Sequence, residues 1–265
     1  MSMSSAHEID YKICGEDIQY VEIELDPGET VVAEAGAMMY KSTGIAMESV
    51  FGDGSQKNQG FMGALAGAGK RLLTGESLFM TAFTHNGQGK AHAAFAAPFP
   101  GTIIAVHLPD VDGELICQKD SFLVAAKGVS IGIALQKRIM TGLFGGEGFI
   151  MQRLEGDGWC FIHAGGTLVE RELAAGEEIH VDTGCVVAYT KTVDFEIERA
   201  GNIKSMIFGG EGVFFARLKG PGKVWMQSMP FSRLAGRIMA NLPVTGSGQG
   251  EGSVLGPLGS IIRGN

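Results

Sequence analysis

The stretch LFGGEGFI, Leu143–Ile150, decides the predicted fold, because it returns as IFGGEGVF at Ile207–Phe214, 64 residues later. Behind the first copy, Arg153-Leu154 matches Arg217-Leu218 behind the second. A fainter third copy, LTGESLF, occupies Leu73–Phe79. Recurrence of a motif is the signature of repeated structural units. The sequence therefore predicts three units, each with a Gly-Glu turn that leads into a strand.

A second motif alternates along the chain with the first and predicts tight hairpin corners. It runs LDPGETV at Leu25–Val31, is spread over Leu108–Ile116 in the second copy, and runs LAAGEEI at Leu173–Ile179. In each copy a glycine precedes a glutamate, and glycine accepts the positive φ that such a turn requires. The three corners are therefore expected to have similar backbone geometry.

The residues after each corner alternate as the side chains of a β-strand do. Val31 and Ala33 are predicted to face away from Val32, and Ile179 away from His180. Aromatic and β-branched runs with glycine between them, at intervals of about 8–12 residues, are typical of β-sandwiches and barrels. We predict an all-β protein of three fused β-sandwich units with few short helices.

The distances between motifs divide the chain into three predicted units and a tail. Unit 1 spans residues 7–98 and carries a Gly/Ala-rich insertion at about 49–70. Unit 2 spans residues 99–163, and unit 3 spans residues 164–242 and includes a C-terminal helix. Residues 243–265 are rich in glycine and serine, which predicts a flexible tail.

The helix of unit 3 is predicted at Met229–Leu242. Phe231, Leu234 and Ile238 lie on one stripe, with arginines on the opposite side, which is the pattern of an amphipathic helix. Pro230 suits the first turn of a helix. We expect the apolar stripe to pack on the β core or on a neighbouring chain.

The composition excludes several classes of protein. The net charge of −8 has the wrong sign for non-specific binding to a phosphate backbone, so no nucleic-acid partner is expected. The four cysteines form no Cys-x-x-Cys pair and are interpreted as small buried residues in a reducing compartment. Neither a signal or transit peptide nor an apolar run of about 18 residues is evident. We therefore predict a soluble, cytoplasmic protein.

No residue pattern predicts catalysis, a cofactor or a metal. The segment GVSIG at Gly128–Gly132 matches the Gly-x-Ser-x-Gly motif of serine hydrolases, but the alternation of strands and helices around that motif is missing. The repeat instead places Ser130 near Gly44 and Asp194, within ordinary strands. The six histidines show no spacing typical of metal ligands. We predict that the protein is not an enzyme.

The repeated motifs resemble those of a known family. The LxxGE corners, the FGGEG segment with its aromatic strand, and the Lys-Arg-x-x-Thr-Gly segments that begin at Lys70 and Lys137 are similar to the altered-inheritance-of-mitochondria family. The resemblance covers Glu8 to Leu242. It implies three units similar to the tryptophan RNA-binding attenuation protein (TRAP-like), each a short double-stranded β-helix type sandwich. It also implies a homotrimer in which three chains close a ring, and it supplies no catalytic residues.

Charged residues recur beside the turns of the first motif. Glu76, Glu147 and Glu211 occupy one position of the repeat and are interpreted as structural, pairing with a nearby base or capping free amides. A second hypothesis concerns the basic residues, which would form a collar on one face of a closed ring and attract an anionic partner such as a lipid headgroup. The members of this collar are Lys70, Arg71, Lys137, Arg138 and Lys204.

Two functions remain open from the sequence. The first is a non-enzymatic oligomeric β scaffold or interaction protein, since unpaired sheet edges need partners. Mitochondrial relatives are associated with inner-membrane organisation, so the resemblance implies a possible protein partner or anionic membrane surface, peripheral to the inner membrane face. The alternative is a protein that binds a small ligand or an anion at sites between repeat units.

Overall fold

The computed structural model describes residues 6–51, 79–137, 149–199 and 214–241. Within these ranges the chain forms antiparallel β-strands and one short α-helix, so the predicted all-β class is confirmed. Most of the predicted insertion and all of the predicted tail lie outside the described residues. The unit boundaries and the likeness to the attenuation protein stay predictions.

The described strands form a leading strand and three sets of six. The leading strand is β1 (Asp10–Cys14), and the first set is β2 (Tyr20–Leu25), β3 (Thr30–Glu34), β4 (Met38–Lys41), β5 (Ile45–Phe51), β6 (Phe79–His85) and β7 (Ala91–Ala96). The second set is β8 (Gly101–His107), β9 (Glu114–Gln118), β10 (Phe122–Ala126), β11 (Ser130–Lys137), β12 (Phe149–Glu155) and β13 (Trp159–Gly165). The third set is β14 (Leu168–Leu173), β15 (Glu178–Asp182), β16 (Val186–Thr190), β17 (Asp194–Arg199), β18 (Phe214–Lys219) and β19 (Gly222–Gln227).

Each set is split between two sheets, so that consecutive sets share a sheet. The first sheet has the order β1-β2-β7-β4 and the second β5-β6-β3-β10-β13-β8. The third has the order β11-β12-β9-β16-β19-β14 and the fourth β15-β18-β17. Strand β3 of the first set pairs with β10 of the second, and β9 of the second pairs with β16 of the third. The same kind of antiparallel pair therefore joins both pairs of sets.

Among the described residues, three apolar clusters fill the spaces between the four sheets. Val31 and Ala33 belong to the cluster between the first and second sheets, whereas Val32 belongs to the cluster between the second and third. The predicted alternation in β3 is therefore confirmed, but both of its faces are buried because the second sheet is covered on both sides. In β15, Ile179 packs on the third cluster and His180 is exposed, as predicted.

The predicted glycine corners are present, with one difference in the second copy. Gly28 and Gly176 have φ angles of 91° and 82°. In the second copy, both Asp112 and Gly113 have positive φ, at 58° and 77°. The extra left-handed residue shifts the motif by one position, so that Glu114 corresponds in strand register to Glu178 rather than to the glutamate that directly follows Gly176.

The serine of the GVSIG segment lies in an ordinary strand, as predicted. Ser130 begins β11 and faces Glu155 of β12, while Asp194 begins β17 at the corresponding place. The cysteine prediction is confirmed for Cys117 and Cys160, which are buried. It is wrong for Cys14 and Cys185, which are only half-buried: Cys14 ends the edge strand β1, and Cys185 lies in the turn between β15 and β16.

The C-terminal helix α1 spans Phe231–Ala240, inside the predicted range, with Pro230 as its N-cap. Leu234 is half-buried. However, Phe231, Ile238 and Met239 are 52%, 56% and 44% exposed. The described residues of its own chain therefore cover only part of the stripe, and packing on a neighbouring chain stays a prediction.

A glycine at the start of β8 allows two backbone segments to approach closely. A Cβ atom at Gly101 would lie 2.0 Å from the carbonyl oxygen of Ala164 and 2.6 Å from Nε2 of His163. Backbone of the neighbouring strand cannot move without breaking its pairing, so we expect Gly101→Ala to lower the free energy of unfolding by about 3 kcal/mol, as overpacked core sites do. Urea denaturation measures this change. Gly132→Ala, where no described residue outside its chain neighbours lies within 4 Å of the new Cβ, is the matched control and should change stability by less than about 0.5 kcal/mol.

Candidate functional site

The residues of the predicted collar and the predicted turn carboxylates lie almost entirely outside the described part of the chain. Lys70, Arg71, Arg138 and Lys204 are outside it, as are Glu76, Glu147 and Glu211. Lys137 is the last residue of β11, where only its backbone is described. The collar and the structural role of the three glutamates therefore stay predictions.

The amide-capping role that we expected at those glutamates is seen at the hairpin corners. The carboxylate of Glu29 accepts a hydrogen bond of 2.8 Å from the backbone N–H of Asp26. The carboxylate of Glu177 accepts one of 2.9 Å from the backbone N–H of Ala174. Each glutamate therefore caps the backbone N–H of the residue three positions before it and stabilises its hairpin corner. The signal for this role lies in the Gly-Glu pair of the second motif, whose pattern by itself predicts only a turn.

The repeated arginine behind the FGGEG motif pairs with carboxylates. Arg153 contacts Glu114 at 3.2 Å. Arg217, at the corresponding position in β18, lies within 3.2 Å of four carboxylates, those of Glu178, Asp194, Glu196 and Glu198. The hydrogen bond to Glu196 is the largest of the effects that raise the pKa of Arg217. This face of the fourth sheet therefore carries more negative than positive charge and does not suit an anion.

Among the described residues every sheet has two edge strands, and two of these edges depart from the pattern that the other sets follow. Strand β4 ends the first sheet and β15 ends the fourth. Their counterparts in the other sets are all inner strands: β10 and β16 correspond to β4, and β3 and β9 correspond to β15. These inner strands pair with one another: β3 of the first set with β10 of the second, and β9 of the second set with β16 of the third. The free edge of β15 therefore belongs to the same type as β3 and β9, and the free edge of β4 belongs to the type that pairs with them.

A bulge at the same place confirms that the three strands β4, β10 and β16 correspond. The register to the neighbouring strand shifts between Met38 and Tyr40 in β4, between Phe122 and Val124 in β10, and between Val186 and Ala188 in β16. Bulges of this kind set the direction of an edge. Tyr40 therefore occupies the position of Val124 and Ala188, which face the neighbouring set.

The burial of the corresponding strands differs in the way that a missing neighbour would produce. All of β10 is buried, and so are Val186–Tyr189 of β16. In β4, Met39 and Tyr40 are exposed, and in β15, Glu178 and His180 are exposed. An exposed apolar edge strand is a template for pairing with another chain. These two edges form the candidate site, an interaction surface rather than a pocket.

A cleft of about 380 Å³ lies between the first set and the β12–β13 turn of the second. Half of its lining is acidic, namely Glu8, Asp10, Glu24, Asp26, Glu29 and Asp157, and the rest comprises His7, Ile9, His107 and Trp159 with the small residues Ala6 and Gly158. Lys90 neutralises part of this charge through contacts with Glu24 and Asp10. The cleft is a site between sets, as the ligand-binding alternative requires, but its charge opposes an anion.

The described ranges hold no three His, Cys, Asp or Glu side chains arranged to bind a metal ion. Burial lowers the pKa of His7, whose Nδ1 accepts a hydrogen bond of 3.0 Å from the backbone of Thr30. This histidine therefore accepts a backbone hydrogen bond at the first residue of β3. In the part of the chain that the structure describes, no helix is long and apolar enough to cross a bilayer.

Comparison with known proteins places the chain in a family. The sequence profile described as mitochondrial biogenesis AIM24 matches residues 11–229. An uncharacterised protein of Streptococcus pyogenes serotype M6 is 30% identical over 228 residues, which cover 85% of this chain and 87% of the relative.

A solved structure shares the fold. The X-ray crystal structure of a Streptococcus pyogenes protein, determined by the Northeast Structural Genomics Consortium, superposes with a TM-score of 0.70 at 24% identity, covering 89% of this chain and 100% of that one. The family match extends through all three strand sets and includes both free edges, β4 and β15. The resemblance predicted from the repeated motifs is confirmed, and the chain belongs to the mitochondrial biogenesis AIM24 family.

Proposed function

We propose that this protein is a non-enzymatic, self-assembling β scaffold, in which β15 of one copy pairs with β4 of the next. The observation that carries the proposal is the internal use of the same contact, since β3·β10 and β9·β16 already join the sets within one chain. The third set has the donor strand of this contact and the first set has the acceptor strand. A second copy offers the partner that each lacks.

The internal pairs specify the register of the contact between copies. Val124 faces Ala33 in the first pair, and Ala188 faces Cys117 in the second. Carried to the free edges, the same register places Val181 opposite Tyr40 and His180 opposite Lys41. The proposed contact between copies therefore has a specific residue-by-residue register.

The backbone groups at the free edges point in the direction that this register needs. The N–H of Ser42 donates to the carbonyl of His92 in its own sheet, so the preceding Lys41 directs its N–H and C=O to the free edge. The carbonyl of Glu177 accepts from Gly220, so His180, three residues on, points to the free edge of β15. Lys41 and His180 of neighbouring copies would exchange two backbone hydrogen bonds.

A head-to-tail contact of this kind closes a ring when the rotation between copies fits, and otherwise builds a filament. The proposed assembly is a ring of three chains, as the family resemblance implies. Its place in the cell is proposed to be the cytoplasm, with the collar residues available to an anionic membrane surface. A closed ring leaves no edge of this kind unpaired, which protects the exposed apolar side chains of β4 from other partners.

Native mass spectrometry of the gently purified full-length chain tests the proposal. We expect a species of three chains of 27.9 kDa each, without added mass. A monomer at micromolar concentration would contradict the scaffold. A trimer with a discrete additional mass would favour the ligand-binding alternative and give the size of the ligand.

A further inference from the structure

We infer that helix α1 is a second contact of this assembly and packs on the turn that precedes β2 in the next copy. That turn, residues 15–19, is called the leading turn below. The inference rests on the proposed scaffold and adds a partner for a surface that the strand pairing does not use. Three observations carry it: a repeated contact between segments, the place where that repetition ends, and the chemistry of the two surfaces.

The segments that begin successive sets contact one another in the same way. The N–H of Gly101, at the start of β8, donates to the carbonyl of Asp17 in the leading turn, at 2.9 Å. The N–H of Gly166, just before β14, donates to the carbonyl of Pro100 at 3.0 Å. Each set therefore begins beside the beginning of the set before it.

This series of contacts ends at helix α1. The N–H of Met229 donates to the carbonyl of Gly165 at 3.1 Å, so Met229 takes the place where a fourth set would begin. The chain then turns at Pro230 into α1 instead of forming another strand. In the assembly, the set that follows the third is the first set of the next copy. Its leading turn must therefore lie beside the start of α1.

The two surfaces are complementary in character. Ile18, in the leading turn, is 66% exposed and follows the exposed acidic residues Glu16 and Asp17. Helix α1 presents exposed Phe231, Ile238 and Met239 together with the exposed arginine at position 237. Burial of apolar side chains against one another is favourable, and opposite charges at the rim add specificity.

The chain already contains one contact of this type. The ring of Phe231 lies 5.4 Å from that of Phe99, centroid to centroid, and Phe99 lies just before β8. This position corresponds to the leading turn of the first set. The start of α1 therefore already contacts one segment that precedes a set, while the rest of its apolar face is uncovered by described residues.

Single substitutions of exposed residues test the contact in the full-length protein. We expect Ile18→Asp and Ile238→Asp each to weaken assembly about 10- to 100-fold in sedimentation equilibrium, because each places a carboxylate in an apolar contact. Val169→Asp, at an exposed apolar residue of β14, is the matched control and should leave assembly unchanged. Arg237→Asp should weaken assembly, and Asp17→Arg added to it should restore part of the loss.

The outcomes separate this contact from the strand pairing. A wild-type monomer would remove the scaffold itself. A wild-type trimer whose association is unchanged by Ile18→Asp and Ile238→Asp would overturn the role of α1 and leave the β15·β4 pairing in place. Loss of binding to phosphatidylglycerol vesicles in Ile238→Asp, with assembly intact, would also overturn it, because α1 would then be a membrane-binding helix.

Discussion

Replacing Lys41 by proline is expected to convert the assembly into monomers without unfolding the chain. Lys41 is the last residue of β4, and its N–H points to the free edge while the N–H of Ser42 bonds to β7. Proline has no N–H and places its ring where a neighbouring strand would lie. The substitution therefore removes one donor of the proposed contact and leaves the β4·β7 hydrogen bonds in place.

The expected effect is large because the contact repeats. A carbonyl of His180 in the neighbouring copy would lose its donor, and a buried carbonyl without a partner costs about 1–3 kcal/mol. This corresponds to a loss of roughly 10- to 100-fold in each association constant. A ring closed by three such contacts weakens at every one of them. Sedimentation velocity measures the mass, and circular dichroism checks that the strands remain.

The matched control for this prediction is Lys41→Ala, which keeps the N–H and removes only the side chain. We expect it to assemble as the wild type does. If Lys41→Ala is also monomeric, the side chain rather than the backbone makes the contact. If Lys41→Pro assembles normally, β4 does not pair in the proposed way and the scaffold needs another interface.

The parts of the fold that sequence could predict depend on local chemistry. A corner such as that at Gly28 needs a residue that tolerates positive φ, and the alternation of Val31 and Val32 is written directly in the sequence. The repeat adds the information that three similar pieces exist. The second corner is displaced by one position, because both Asp112 and Gly113 have positive φ and the glycine alone does not show which residue begins the turn.

The candidate site could not be predicted, because it depends on which strands pair across sets. The letters MMYK of β4 and FLVAA of β10 do not show that one strand is at an edge and the other inside a sheet. Only the pairs β3·β10 and β9·β16 reveal that β4 and β15 each lack the corresponding neighbour among the described residues. For α1, the pattern showed an apolar face but not what covers it. Long-range pairing carried the functional information in both cases.

The pH dependence of stability is expected to contain two opposing contributions, from His163 and Glu34. His163 lies in β13 and is 2% exposed, and neither ring nitrogen has a well-formed hydrogen bond to the described residues. Burial lowers its pKa to about 4, and the nearby backbone of Phe99 opposes this only in part. Burial raises the pKa of Glu34 to about 7, and the negative charge of Asp120 adds to the increase.

The signs follow from the unfolded values. As pH falls below 6.5, His163 is protonated in the unfolded chain before it is protonated in the native chain. Its contribution to the free energy of unfolding is therefore fully present above pH 6.5 and is lost as pH falls to 4. The unfolded glutamate ionises at 4.5, so the contribution of Glu34 is complete below pH 4.5 and is lost as pH rises to 7. Each difference is worth about 3 kcal/mol. Between pH 4.5 and 6.5 the two slopes nearly cancel in the wild type.

Two substitutions separate these slopes. Urea unfolding from pH 4 to 7.5, at one protein concentration, gives the free energy of unfolding of each variant relative to the wild type. The free energy of unfolding of His163→Gln, relative to that of the wild type, should rise by about 3 kcal/mol as pH falls from 6.5 to 4. Glutamine is chosen because Gln227 is the buried counterpart in the third set, where its amide oxygen accepts from the N–H of Gly165 and its amide nitrogen donates to the carbonyl of Gly184. Glu34→Gln should gain a similar amount as pH rises from 4.5 to 7, and parallel profiles for all three proteins would show that neither group titrates differently in the folded chain.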